Sequence, residues 1–343
     1  MGVDLGGILE RREASLDELK GKRIAIDAYN TLYQFLTTIR QPDGTPLMDS
    51  KRRVTSHLSG LFYRTTNLLE KGVLPCYVFD GKPSELKRKT LEEREARKAE
   101  AEEAMKKALE AGRIEEAAAL AQRTVRMNKE MAAEAMHLLG LMGVPFVQAP
   151  SEGEAQCAVM ASRGVVDAVG SQDYDALLFG APTLYRNVTI AGKRKVPRRS
   201  IYVDVVPEEI SLQENLARLG IDRRRLVWIA LLAGTDFNAG VHGIGGKKGL
   251  KLVKEYNSFE GITEKLGEKA EGFDYTPVEE LFLNPPYKEV SRDDLRPKEM
   301  DRSGLVALMV DEHEFSRDRV ENAISRAYKE PLDSNQSSLK KWF

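Results

Sequence analysis

Seven carboxylates constrain the chemistry of this chain more than any other residues: Asp27, Asp80, Glu152, Glu154, Asp173, Asp175 and Asp236. Asp27 and Asp80 end two short β-branched or aromatic runs, 23–27 and 76–80, that read as buried strands. Glu152 and Glu154 follow a third such run at 144–147, after Pro150-Ser151, and Asp173 and Asp175 follow a fourth at 167–169. Asp236 comes after an apolar helical stretch, 226–233, in Gly234-Thr235-Asp236. Each acid alone also has an architectural reading. Asp27, Asp173, Asp175 and Asp236 can start helices, Asp80-Gly81 can make a turn, and Ser151-Glu152-Gly153-Glu154 can form a capping box with Ser151 as the cap. Together they exceed what capping needs. In an open parallel sheet the carboxyl ends of the strands line one edge, where ligands bind, so four such strands deliver six of these acids to one crevice.

Like charges gathered this closely cannot all stay ionised without compensation. Two divalent cations would cancel four of the seven charges. Oxygen donors with no His or Cys among them select Mg²⁺, with Mn²⁺ able to substitute, over zinc. A pair of such ions about 3.5–4 Å apart is the usual device for in-line attack on a phosphodiester. The acids therefore point to metal-dependent phosphodiester hydrolysis.

The elements that must position them alternate. Helical stretches at 54–71, 129–141 and 154–163 separate the strands, Gly143 and Gly164 stand where C-terminal caps fall, and 184–186 and 201–203 read as added edge strands. The pattern predicts an α/β fold with a mostly parallel central sheet flanked by helices. Residues 84–130 break the rhythm: they are almost continuous helix-former, dominated by charge and too poor in apolar residues for a core helix. That segment reads as a solvated helical hairpin. After Gly234 the chain turns Gly-rich and then helical at 249–256, 273–297 reads as irregular, and the sequence from Pro331 is polar.

The 343 residues carry a net charge of −1, so binding to a polyanion has to come from local basic patches. Val241-His242-Gly243-Ile244-Gly245-Gly246-Lys247-Lys248-Gly249 fails the P-loop pattern, yet a Gly-rich turn feeding a helix N-terminus cradles phosphate, and Lys247, Lys248 and Lys251 stand close by. Lys193-Arg194-Lys195 and Arg198-Arg199 read either as phosphate contacts or as a solubilised hairpin. Two cysteines, Cys76 and Cys157, and four histidines occupy no metal or redox spacing, and neither a signal peptide nor a membrane span is evident. An intracellular monomer, cytoplasmic or, in a eukaryote, nuclear, with no membrane partner is expected.

The sequence resembles the flap endonuclease family, within the wider group of 5′ nucleases with a PIN-like core. Asp27, Val-Phe-Asp80-Gly-Lys-Pro83, Ala-Pro-Ser-Glu152-Gly-Glu154-Ala-Gln, Ser-Gln-Asp173-Tyr-Asp175-Ala-Leu-Leu-Phe-Gly and Leu-Leu-Ala-Gly-Thr-Asp236-Phe carry the resemblance. It runs from Met1 to Phe343 and is closest to archaeal members, since the chain stops without the basic extension of eukaryotic ones. The resemblance implies a single nuclease domain over 1–330. Its parts are a first core portion (1–83), a helical arch (84–130), a second core portion (131–233), a helix–two-turn–helix (234–260) and a C-terminal helical and irregular part (261–330). It also implies one metal held by Asp27, Asp80, Glu152 and Glu154, and another held by Asp173, Asp175 and Asp236. Lys87 and Arg94 match the arch's catalytic basic pair. Tyr33 matches an aromatic on which a base stacks, Arg40 and Arg64 match phosphate-steering arginines, and Gly2 lies near the site in the family. The 243–249 loop, including Gly243, Gly245, Lys247 and Lys248, corresponds to the duplex-gripping element that often holds K⁺. The nucleotide-excision-repair relatives carry a long insertion between the second and third acids, which is absent here.

The last residues, Gln336-Ser-Ser-Leu339-Lys-Lys-Trp342-Phe343, put an amide and three large apolar groups on one helical turn and use one of only two tryptophans. They resemble the box that plugs a sliding clamp, making 331–343 a clamp-binding tail. The implied function is cleavage at the base of 5′ flaps in branched DNA (single flap, double flap and nicked duplex) during replication and repair, with 5′-3′ exonuclease activity. Two rivals stay open: a PIN-type ribonuclease, and a clamp-bound adaptor without catalysis, in which Asp173→Ala changes nothing measurable.

Overall fold

Strand β2 (Arg23–Asp27) is buried at every position after Arg23, as a central strand covered on both faces must be. The structure, a computed structural model, describes residues 2–41, 44–190, 192–195, 202–270 and 274–328. Around β2 the sheet runs β1 (Arg12–Glu13), β9 (Glu208–Ser211), β6 (Thr183–Arg186), β5 (Ala168–Gly170), β2, β3 (Leu74–Phe79), β4 (Phe146–Gln148). From β6 to β4 every pairing is parallel, whereas β9 and β1 are antiparallel. The mostly parallel α/β sheet expected from the sequence is thus present.

The two-residue alternation of each strand divides the interior. Ala25, Cys76 and Val78 point into one hydrophobic cluster, and Ile24, Ile26, Tyr77 and Phe79 into another on the opposite face. The second is covered by α1 (Ala28–Thr38), α2 (Ser56–Glu70) and α5 (Lys129–Leu141). The first is covered by α6 (Gly153–Ser162), α7 (Asp175–Leu178) and α9 (Arg223–Ala233), and residues Val3, Leu5, Ile8 and Leu9 of the N-terminal segment bury themselves in it. Between β3 and β4 the charged segment forms a hairpin of α3 (Arg88–Glu110) and α4 (Ile114–Ala121), turned at Gly112 with φ 69°. In α3 only Ala101 and Ala108 are buried. Past β9 come α8 (Leu212–Leu219), α10 (Gly246–Glu255), α11 (Phe259–Leu266) and α12 (Thr276–Leu283). After these, α13 (Arg302–Val306) runs on into π-helical turns, and α14 (Arg317–Ala327) follows.

Three expectations are corrected. Residues 201–203 were expected to extend the main sheet, but β8 (Tyr202–Val205) pairs with β7 (Gly192–Lys195) in a separate two-stranded ribbon. The edge is completed instead by β9 and β1, which are too short and polar to show a strand period. Their pairing brings Arg12 onto Glu209 and Arg186 onto Glu208. The stretch 273–297 contains a helix, α12, in which Val278 and Phe282 bury one stripe after a proline in the first turn. The capping box at Ser151 does not form: Glu152 occupies the cap position of α6 without a side-chain cap bond, and Glu154 bonds Ser171. Gly143 and Gly164 do follow their helices in the left-handed region, φ 66° and 71°. Arg198, Arg199 and the clamp residues Gln336, Leu339, Trp342 and Phe343 lie outside the described residues.

Helices α1 and α2 cross where Gly60 faces Phe35, and a Cβ at residue 60 would sit 2.2 Å from Cγ of that fully buried ring. The variant Gly60→Ala gains about 1 kcal/mol of helix propensity but overpacks the crossing at a cost of roughly 1–3 kcal/mol. A net fall in the urea unfolding midpoint is expected, and a rise would show that the crossing yields freely.

Candidate active site

The parallel strands β5, β2, β3 and β4 are neighbours, so their carboxyl ends form a continuous edge. Asp27 ends β2, Asp80 follows β3, Glu152 and Glu154 begin α6 after β4, and Asp173 and Asp175 lie in the turn after β5. Asp236 reaches the same edge from the loop after α9, where Thr235 and Asn238 close a bridge. Each acid is fixed by its own partner. Asp27 caps α1 by accepting from the Asn30 amide at 2.9 Å, and the Asn30 side chain donates to Asp173 at 2.8 Å. The Gly153 amide donates to Asp80 at 2.7 Å, Ser171 to Glu154 at 2.5 Å, and the Val3 amide to Asp175 at 3.0 Å. Asp27, Glu152, Asp175 and Asp236 are buried.

Lys87 and Arg94, from the base of the hairpin, reach into this edge. The Lys87 ammonium lies 2.6 Å from Glu152 and 3.7 Å from Asp236, and 5.6 Å from the centre of the Phe237 ring. The Arg94 guanidinium pairs with Asp236 at 2.5 Å. Lys87 alone therefore ties the hairpin both to the acid after β4 and to the acid after α9.

The electrostatics follow. Asp80 is pushed up to about 6, first by burial and then by the charge of Glu152. Asp175 rises to about 7, by burial and then by Asp173. Burial also holds Asp27 and Glu154 well above the usual carboxylate range, with Asp80 the next cause for Asp27 and Asp175 for Glu154. Burial works against the charge on Lys87, but Glu152 and then Asp236 outweigh it and hold its pKa above the ordinary lysine value. Asp27, Asp80, Glu154 and Asp175 are thus each raised by burial and by a neighbouring acid, as like charges are in a shared, poorly solvated site.

Among the described residues no three carboxylate, imidazole or thiol groups stand as a closed metal-ligand set. The chemistry of the donors nevertheless fits hard divalent cations: all are carboxylate oxygens, four of them buried and the other three half-buried, and they repel one another. Sequence reasoning missed Asn30 and Ser171, which orient acids. Asn30 stands three residues after Asp27, in the first helical turn, a spacing that brings it to the same end of α1.

The remaining candidates lie at several places in the fold, only Gly2 in contact with one of the acids. Gly2 lies against Asp175, where a Cβ would meet its carboxylate at 2.5 Å. Tyr33 is 39% exposed on α1, available for stacking. Arg40 donates to the Leu36 carbonyl at 3.0 Å and the Gly44 carbonyl at 2.6 Å, stitching the end of α1 to the next loop. Arg64, half-buried on α2, lines a groove of about 580 Å³ with Tyr63, Asn67, Lys71 and Arg326. Gly243 has φ 77°, and Gly245 caps α10 without a side chain, leaving the exposed Lys247 and Lys248 at the first turn of that helix. Lys248 donates to the Gly243 carbonyl at 2.8 Å.

Comparison with known proteins gives the family of the chain. The XPG N-terminal domain family matches residues 1–101, and the XPG I-region matches residues 143–236. Flap endonuclease 1 of Pyrococcus furiosus is 51% identical over 348 residues, covering 100% of this chain and 99% of its own. That of Archaeoglobus fulgidus is 49% identical over 346 residues, covering 100% of both. The solved flap endonuclease-1 from Methanococcus jannaschii is similar with a TM-score of 0.74 and 40% identity, over 96% of this chain and 98% of that one. The catalytic core of Rad2 in complex with DNA substrate shares the fold, with a TM-score of 0.69 at 21% identity over 94% of this chain and 97% of its own. Identity of about half the residues, sustained over the full length and over both regions that carry the acids, places this chain in the flap endonuclease 1 family, a family of hydrolytic nucleases.

Proposed function

We propose that this flap endonuclease cuts the phosphodiester at the base of 5′ flaps by a two-metal mechanism, through the seven carboxylates of the sheet edge. The observation carrying this reading is that acids from five separate segments meet at one edge with two basic side chains of the hairpin set directly upon them. Asp27, Asp80, Glu152 and Glu154 would hold one Mg²⁺, directly or through water, and Asp173, Asp175 and Asp236 the other, with Mn²⁺ able to replace either. When bound, such ions supply an activated water and stabilise the leaving oxygen.

The chain's own groups do the rest. Lys87 and Arg94 add positive charge to the scissile phosphate as negative charge builds on it, an electrostatic gain enlarged by partial burial. Their position on α3 and just before it makes the hairpin the arch under which the 5′ strand lies, so that engaging the flap and completing the site are one event. Tyr33 stacks on a base beside the bond, Gly2 leaves room next to Asp175, and Arg40 and Arg64 steer phosphates. Downstream duplex is gripped at the N-terminus of α10, where the amides of the first helical turn, with Lys247 and Lys248, meet the backbone; the Gly243–Gly245 loop would hold a K⁺ ion, adding positive charge there. The tail at 336–343 tethers the enzyme to a sliding clamp through Gln336, Leu339, Trp342 and Phe343, raising its local concentration on DNA.

A labelled double-flap duplex, incubated with and without Mg²⁺ beside a plain duplex and an RNA counterpart, tests the reading; equal cutting of all three sinks it. Asp173→Ala is expected to keep flap binding while losing cleavage. Lys87→Ala should lower kcat by about 10²–10³-fold, the scale of removing one transition-state donor, and cleavage at the parental rate would remove it from the chemistry.

A pH dependence follows from the raised carboxyls. An acid whose pKa is higher in the folded than in the unfolded protein stabilises the fold while protonated, and that stability is lost as pH rises toward the folded value. Without metal, stability should therefore fall as pH rises through about 6 for Asp80 and about 7 for Asp175. Metal binds the ionised forms, so the gap between melting midpoints in Mg²⁺ and in EDTA should widen from pH 5.5 to pH 8. A gap that is constant across this range contradicts the assignment.

A further inference from the structure

Arg186, the last residue of β6, is half-buried and stands behind the Asp173–Asp175 turn. Its Nε donates to the main-chain carbonyl of Gln172 at 3.1 Å, and its Nη1 donates to the Tyr174 hydroxyl at 2.9 Å. The same guanidinium lies 4.7 Å from the centre of the Tyr174 ring and 3.1 Å from Glu208, its cross-strand partner. Tyr174 separates the two acids in sequence and is buried; its hydroxyl also accepts from Arg11 at 3.3 Å. Arg11 pairs in turn with Glu208 at 3.3 Å. One carboxylate, Glu208, thus holds two guanidinium groups, and both of these hold Tyr174.

We propose that Arg186, braced by Glu208 and Arg11, is the positioning residue for the Asp173–Asp175 pair. It fixes the peptide entering Asp173 through Gln172 and the residue between the acids through Tyr174. Any rotation of this short turn displaces both carboxylates together, so restraining it at two points restrains the pair. A lysine cannot reproduce the effect, because its single ammonium lacks the planar fork that serves a carbonyl, a hydroxyl and a carboxylate at once. Arg186 acts on the acids through the turn, bonding Gln172 before them and Tyr174 between them and not the carboxylates themselves. The proposal rests on the reading that Asp173 and Asp175 bind a divalent ion.

The test is Mn²⁺ binding to the full chain without DNA, followed by electron paramagnetic resonance of the free ion, for the parent, Arg186→Ala, Arg186→Lys and Tyr174→Phe. Loss of groups that orient metal ligands weakens metal binding by about 10–100-fold, and that loss is expected for Arg186→Ala. Arg186→Lys should recover only part of it. Tyr174→Phe removes a single hydroxyl from a residue that otherwise packs unchanged, and should shift binding the same way by less, which keeps the question open to measurement if Arg186→Ala does not fold. In cleavage assays the Arg186 variants should need more Mg²⁺ for half-maximal kcat while KM for flap DNA holds. The proposal is overturned if Mn²⁺ binds all variants as it binds the parent, or if KM for DNA rises with the Mg²⁺ requirement unchanged. If the parent itself binds no Mn²⁺, the metal-ligand reading of the acids falls first and this proposal falls with it.

Discussion

Burying carboxylates within reach of one another costs free energy that only opposite charge or shared protons can offset. In this molecule that cost is concentrated at the carboxyl edge of four adjacent parallel strands, where burial and neighbouring acids raise Asp27, Asp80, Glu154 and Asp175 together. Much of the surrounding architecture holds these groups in place against their repulsion. The sheet interior supplies rigid strand ends, the start of α1 supplies the Asn30 contacts, and α6 supplies the Gly153 amide. The N-terminal segment is anchored by four apolar residues in the core and delivers the Val3 amide to Asp175. Strain of this kind is stored where function needs it, and the two well-packed hydrophobic clusters on either side of the sheet stabilise the fold that carries it.

The hairpin of α3 and α4 is built on the opposite principle. Its long helix buries only two alanines, and its many charges are answered by exposed pairs such as Lys107 with Glu103 and Arg126 with Glu95, which contribute little individually. Two places attach it firmly. At its base Lys87 and Arg94 bind Glu152 and Asp236. At its far end Ala118 rests on Gly44, so closely that a Cβ at residue 44 would lie 2.6 Å from the alanine methyl, and an apolar cavity of about 370 Å³ remains beside that contact. An element with so little buried apolar area belongs to the least stable part of the fold. It is also the element whose basic residues meet the acids, so the charge balance of the site and the seating of the hairpin are linked.

Strand alternation and helix periodicity were readable because they follow from burying one face of each element, and the main parallel strands and covering helices appear near their expected positions. The edge strands β9 and β1 were not, since polar segments of two to four residues carry no period and exist only because a neighbour offers its hydrogen bonds. Residues 201–203 have the composition of a strand, but composition cannot name the partner, and Tyr202–Val205 pairs with β7 instead of the main sheet.

The acids themselves were legible through residue type and through their place just after strand-like runs, because a parallel sheet obliges those ends to lie together. What each acid bonds to was decided by the tertiary structure. Ser151 does not cap α6, Glu154 turns to Ser171, and Asn30 and Arg186 act on the Asp173–Asp175 turn from 143 and 14 residues away in the chain. The sequence by itself determined which groups carry charge and which strand ends present them, since both depend on local pattern. Only the folded chain decided how those groups are oriented and restrained, because orientation depends on contacts between segments that no local pattern connects.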